Sequence, residues 1–149
     1  MLRQAIEDGC CLVCLVYVST ARAGVSHAIL NAILESARLW NAEHGITGIL
    51  IYCDGSFLQY LEGPREQVKQ CYERITASTS HAGIVELINE PTGTRKFSHW
   101  HMGFTRASRS QLRALLDVRW RNDTGDQHKT GADGIGLLRH LMDGGGVAG

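Results

Sequence analysis

The sequence predicts an α+β sandwich of the ferredoxin-like kind, ordered β-α-β-β-α-β-β, with two helices on one sheet face and C-terminal helices on the other. Three observations carry this. Short runs rich in Leu, Ile, Val and Tyr alternate with two helical stretches in that order. An Asp54-Gly55 pair separates two of the runs, and Asp-Gly is a strong hairpin signal because a type I′ turn needs φ > 0 at both central residues. Two further amphipathic stretches come after the last run and supply cover for the sheet face that the first two helices leave bare.

Each element has a local reason. Cys11 to Ser19 is a buried first strand, and Ala21 to Val25 a loop. Ser26 can cap the first helix, which runs to about His44 and closes at Gly45. Its apolar face is Ile29, Ile33 and Ala37, flanked by Leu30 and Leu34. Ile46 to Cys53 is the second strand and Ser56 to Glu62 the third, with Phe57, Gln59 and Leu61 on one face. Gly63-Pro64 opens the second helix, where proline is tolerated in the first turn. Val68, Cys71, Tyr72 and Ile75 form its inward stripe. Thr76 to Gly83 is a polar loop, Ile84 to Ile88 a fourth strand and Phe97 to Thr105 a fifth.

Ser108-x-x-Gln111 matches a capping box ahead of Leu112, Leu115 and Leu116. Asn122 to Thr130 is a polar linker, and Ile135, Leu138, Leu141 and Met142 mark a short amphipathic helix. The leucine stripes do not sustain heptads, so they indicate packing rather than a coiled coil. The Gly-rich tail after Asp143 is expected to be disordered.

Composition narrows the function. The chain has 149 residues, 44% of them hydrophobic, enough for one domain with a proper core and a helical extension. Fifteen Lys plus Arg balance fifteen Asp plus Glu, with no basic cluster, so neither nucleic acid nor a membrane surface is an expected partner. The apolar run from Cys10 to Val18 is too short to span a bilayer and lacks signal-peptide flanks. Five cysteines without framework spacing fit a reducing compartment, and a cytoplasmic protein is expected. Cys10, Cys11 and Cys14 are close in sequence, but no second pair follows, and on a strand Cys11 and Cys14 point to opposite faces. Small buried hydrophobes are the simpler reading of them.

Three polar residues end apolar stripes. Tyr17 shares a strand face with Val13 and Leu15, Asn41 continues the stripe of Ile29, Ile33 and Ala37, and Gln59 lies between Phe57 and Leu61. Each has a bland alternative: a wet strand face for Gln59, or a small buried network without a ligand for all three. In the sandwich they can converge between sheet and helices. A phenol and two amides do not titrate near neutral pH and suit acid–base hydrolysis poorly. They suit a flat heterocycle with alternating donors and acceptors, such as a flavin or a pterin.

Four blocks, in order, make the pattern specific: Leu15-Val-Tyr-Val-Ser19, Asn41-Ala-Glu-His-Gly-Ile-Thr-Gly-Ile-Leu50, Phe57-Leu-Gln-Tyr-Leu-Glu-Gly-Pro64 and Phe97-Ser-His-Trp-His-Met102. In them the chain resembles a BLUF domain, a blue-light sensor that uses FAD, over about residues 11 to 105. The resemblance implies a BLUF flavin-binding domain at 1–105 and a C-terminal helical extension and tail at 106–149. It implies that Tyr17 donates an electron and a proton under light. Gln59 bonds Tyr17 and the flavin N5/O4 edge, and Asn41 holds the opposite polar part of that edge. Trp100 and Met102, on the other strand face from His99 and His101, are expected near Gln59. Arg74 is expected near the ribityl or phosphate part, where a guanidinium suits phosphate. Ile33, Leu50, Phe57 and Ile75 form apolar walls, and Ser19 and His81 complete the expected cofactor contacts. Trp40 stands where the family often has a polar or basic residue; it could stack on the ring or quench it by electron donation. The loop from Thr76 to Ser80 has serines where the family typically has an Asp and an Arg before the histidine, here His81, which removes charge near the cofactor tail.

With no cyclase or phosphodiesterase attached, a stand-alone, non-enzymatic photoreceptor is expected, a homo-oligomer that acts through a downstream signalling protein. Two rivals keep the fold. An acylphosphatase-like hydrolase would use Arg22 and Asn41, but Ala21 to Val25 offers a poor phosphate cradle. A cofactor-free interaction module would let Trp40 fill the vacated space. His99-x-His101 could chelate metal from one strand face, but no third ligand is visible.

Overall fold

A computed structural model describes residues 12–21, 26–78, 81–118 and 134–144. Strands β1 (Leu12–Ala21), β2 (Thr47–Cys53), β3 (Ser56–Pro64), β4 (His81–Pro91) and β5 (Gly103–Arg106) alternate with helices α1 (His27–His44) and α2 (Arg65–Thr76), with α3 (Arg109–Asp117) and α4 (Gly134–Gly144) after them. The sheet order is β4-β1-β3-β2-β5. All neighbours are antiparallel except β5, which joins β2 in parallel. This is the expected five-stranded α+β sandwich, with β5 at one edge of the sheet. Arg22, the linker 122–130, the Gly-rich tail beyond Gly144, Cys10 and Cys11 lie outside the described residues.

The local signals act as their chemistry requires. Ser26 caps α1 by accepting from the Ile29 N–H, and Gly45 closes it in the left-handed region. Asp54 (φ 46°) and Gly55 (φ 85°) make the β2–β3 turn. A Cβ at Gly48 would lie 1.9 Å from the Tyr60 carbonyl oxygen, so only glycine lets β2 approach β3 there. Ser108 and Gln111 form a complete capping box on α3.

The sheet separates two cores. Toward α1 and α2 face Val13, Leu15, Tyr17, Leu50, Phe57 and Leu61, with Leu30, Leu34, Val68 and Cys71 from the helices. Toward α3 and α4 face Cys14, Val16, Ile49, Ile51, Leu58 and Tyr60, covered by Leu115, Leu138, Leu141 and Met142. The α1 stripe sits differently from expectation. Leu30, Leu34 and Asn41 are the buried residues, whereas Ile29 is 48% exposed and Ile33 and Ala37 are half-buried.

The fifth strand is shorter than the sequence suggests, beginning at Gly103 rather than Phe97. A buried carboxylate explains it. Glu62, fully buried on β3, accepts from the backbone N–H groups of Lys96 and Phe97 at 2.7 Å each, and from Thr47 Oγ1 at 2.9 Å and Tyr60 Oη at 3.0 Å. Arg95 braces the same turn, donating to Thr47 Oγ1 at 3.0 Å and to the Gly45 carbonyl at 2.7 Å. The Trp100 N–H bonds back to the Phe97 carbonyl at 3.2 Å. Donors that a strand would offer its neighbour are therefore consumed in turns. His99 and His101 consequently share no strand face, and both are exposed.

Candidate functional site

Register builds the site. Tyr17 lies directly opposite Gln59 in the β1–β3 ladder, and Leu50 lies opposite Gln59 in the β2–β3 ladder. Three adjacent strands thus present a phenol, an amide and an apolar side chain in one row toward α1 and α2. Between that row and the helices is a cavity of about 530 Å³, within the range of small-molecule sites. Tyr17, Ile33, Asn41, Leu50, Phe57, Gln59, Arg74 and Ile75 line it, as the sequence suggested. It also takes in Ile29, Ala32, Ser36, Ala37, Cys71 and Ser78, which were not named as site residues. Ile29, Ala37 and Cys71 had appeared as core stripe residues, which is the same apolar signal in a different use.

The buried end is a polar chain. Tyr17 Oη donates to Gln59 Oε1 in a short, buried hydrogen bond. Gln59 Nε2 in turn donates to Met102 Sδ at 3.4 Å. Asn41 Nδ2 donates to the His101 carbonyl at 2.7 Å, while Cys71 Sγ approaches Asn41 Oδ1 at 3.8 Å. Arg38 Nε holds the Met102 carbonyl at 2.9 Å. Burial, reinforced by Cys71 and Tyr72, pushes the Tyr17 phenol well above its ordinary pKa, so it stays protonated. Burial also pushes the Cys71 thiol up to about 12, against the pull of the Arg74 charge.

Four of the expected contacts are not among the lining residues. Met102 is buried against Gln59 but does not line the cavity. Trp100, expected near Gln59, packs instead with the core under α3 and α4, its ring stacked on Phe97 at 6.3 Å. The turns fixed by Glu62 bring Met102 and Trp100 to opposite sides of the sheet. Trp40 is half-buried outside the lining, stacked on His44 at 3.6 Å. Ser19 is buried opposite Phe57 without reaching the lining. The backbone of His81 pairs with Ala21.

A second hollow of about 560 Å³ lies between the β2–β3 turn and α3, bordered by the exposed ion pair Arg109–Asp54. It gathers no comparable buried polar chain. Among the described residues no group of three or more His, Cys, Asp and Glu side chains could hold a metal ion, and no helix is long and apolar enough to cross a membrane.

The first cavity fits a flat heterocycle with one polar edge. Its walls are mainly apolar, amides and a phenol meet at the buried side, and exposed Arg74 is the single charged lining residue. Among the described residues, those lining the cavity include no carboxylate and no histidine. The family model BLUF, described as sensors of blue-light using FAD, matches residues 12–103, and the chain belongs to this family of blue-light sensors.

The chain is 36% identical over 90 residues to the photoactivated adenylate cyclase subunit beta of Euglena gracilis, covering 60% of this chain and 10% of that one. It is 35% identical over 86 residues to the blue light- and temperature-regulated antirepressor BluF of Escherichia coli K12, covering 58% of this chain and 21% of that one. It thus spans a tenth to a fifth of these curated relatives. Among solved structures it resembles the dark state of the BLUF protein BlrB, at 35% identity and TM-score 0.64, over 85% of this chain and 97% of the other. The ground state of BlsA matches at 30% identity and TM-score 0.65, over 71% and 72%. BLUF domains are flavin-based sensor modules rather than catalysts, and the two curated relatives are by name photoactivated and blue light-regulated.

Proposed function

We propose that this chain binds FAD non-covalently in the cavity between the sheet and helices α1 and α2, and converts blue light into a rearranged hydrogen-bond network that a downstream protein reads. The observation that carries this reading is the buried bond from Tyr17 Oη to Gln59 Oε1 at the wall of the cavity. Ile33, Leu50, Phe57 and Ile75 would hold the ring, Gln59 and Asn41 its polar edge, and Arg74 its phosphate. A bound flavin supplies a blue absorption band and an excited state that takes electrons readily.

The response to that excited state lies in the chain's own residues. Burial penalises a bare phenolate and an isolated cation alike, so Tyr17 loses its electron and its proton together. The proton travels along the existing bond from Oη toward Gln59 Oε1. Once the electron and the proton have returned to Tyr17, the amide of Gln59 is left rotated or tautomerised, with a donor where an acceptor stood. In the resting arrangement Nε2 points at Met102 Sδ, and rotation would turn Oε1 toward a thioether that has no proton to give. Each such exchange is worth on the order of 1 kcal/mol. The recipient is the segment before β5, gripped by Arg38 and Asn41 on one side and continuous with Trp100 on the other. Helices α3 and α4 cover that second side and are the route outward.

The test is the absorption spectrum of the purified protein before and after blue light, with the released cofactor identified by chromatography. FAD bands that shift reversibly to the red support the reading. A protein that stays colourless with added FAD returns the balance to a cofactor-free interaction module.

A further inference from the structure

We propose that Trp40 and Ser36 are positioning residues that hold the Arg74 guanidinium at the cavity as a preformed phosphate clamp, so that this chain selects phosphorylated flavins over riboflavin. The inference rests on the flavin-binding reading above and goes beyond it to cofactor selectivity.

Ser36, Trp40 and His44 recur every four residues along α1 and so form one stripe on its surface. Arg74 reaches across from α2 and meets that stripe twice. Its Nη2 donates to Ser36 Oγ at 3.1 Å, and its Cζ sits 5.4 Å from the centroid of the Trp40 ring. The indole is itself fixed. It stacks on His44 with centroids 3.6 Å apart and 13° between planes, and His44 Nδ1 lies 2.7 Å from the Trp40 carbonyl. A long, rotamer-rich cation is therefore ordered before any ligand arrives, which lowers the entropic cost of using it.

The charge is left available. Among the described residues the ion pair is Arg109–Asp54, and Arg74 has no carboxylate within that reach. The segment Thr76 to Ser80, next along the chain, carries no charge. Trp40 and Ser36 neutralise nothing, and Ser36 occupies one of five guanidinium N–H donors. Both Arg74 and Ser36 line the cavity, whereas Trp40 does not. A pinned, uncompensated guanidinium beside an apolar cavity fits a planar ligand whose tail carries a phosphate, which it can grip with two donors. Trp40 then acts on the ligand's tail through Arg74.

The experiment titrates apo-protein with riboflavin, FMN and FAD by flavin fluorescence, at low and high salt. The native chain is expected to bind FMN and FAD about tenfold more tightly than riboflavin, an advantage that shrinks with salt. Trp40→Ala should bring FMN and FAD down to riboflavin's level and leave riboflavin unchanged, while Trp40→Phe keeps most of the preference. Ser36→Ala, at an exposed position, should cost about threefold for the phosphorylated flavins alone. Equal affinity of the native chain for all three flavins overturns the clamp and leaves flavin binding standing. Equal weakening of all three by Trp40→Ala does the same, because it would make Trp40 a wall for the ring. Binding of none of them overturns both readings.

Discussion

The two faces of the sheet are built from the same strands and solve opposite problems. The face under α3 and α4 is filled: Val16, Ile49, Ile51, Leu58 and Tyr60 meet Leu115, Leu138 and Met142, and the one buried charge among the described residues, Glu62, is ringed by donors. The face under α1 and α2 encloses a cavity of about 530 Å³, and its polar groups form a chain that ends on a thioether. A filled face with a saturated charge is a stability device. A face with a cavity and a rearrangeable amide suits a ligand and a switch. The segment from Phe97 to Met102 passes between them, which is why a change beside Gln59 can be felt under the C-terminal helices.

Substitutions on the two faces should therefore separate stability from light response. The largest stability effect is expected at Glu62. Glu62→Ala strands two hydroxyls and two backbone N–H groups in a buried place, and urea unfolding should show a loss of at least ~3 kcal/mol. A loss below about 1 kcal/mol would mean that the segment around Lys96 relaxes freely, and the filled face would lose its anchor. Ile51→Ala on the same face should cost about 2–5 kcal/mol through the hole it leaves. Its counterpart Ile33→Ala, at a half-buried wall of the cavity, should cost under about 1 kcal/mol in apo-protein, because space is already present there. Similar losses at the two positions would erase the contrast.

A smaller effect is shared by both faces. Burial raises Cys14, on the filled side, to about 11 and Cys71, beside the cavity, to about 12, from 9.0. The unfolded thiols ionise first, so stability is complete below 9.0 and declines as pH rises through the range up to those values. Chemical denaturation between about pH 9 and 10 should show the decline, and Cys14→Ala with Cys71→Ala should reduce it there; above 10.0 the buried phenols of Tyr17 and Tyr60, also raised by burial, add a loss of their own. An undiminished decline would assign it to other groups.

The hairpin, the α1 caps, the α3 capping box and the two-faced sheet were legible in the sequence because each depends on neighbours a few residues away. Tyr17, Asn41 and Gln59 were legible as polar interruptions of apolar stripes. The turns from Phe97 to Met102 were not, because Glu62 imposes them from thirty-four and thirty-five residues upstream, and a local pattern of alternating residues still suggests a strand. Trp100 went to the wrong side for the same reason. Ile29 and Ala37 illustrate a different limit: a side chain facing a ligand cavity and one facing a core have the same hydropathy. Ser36 gave no signal, since an exposed helical serine is ordinary until Arg74 is seen to reach it.

The central claim is that the Tyr17–Gln59 pair, and not the cavity alone, makes this chain a light sensor. The most direct test is the light-minus-dark absorption spectrum of flavin-loaded native protein beside flavin-loaded Gln59→Leu. The expected result is a reversible red shift in the native chain and none in the variant at equal cofactor content. An unchanged red shift in Gln59→Leu would contradict the claim.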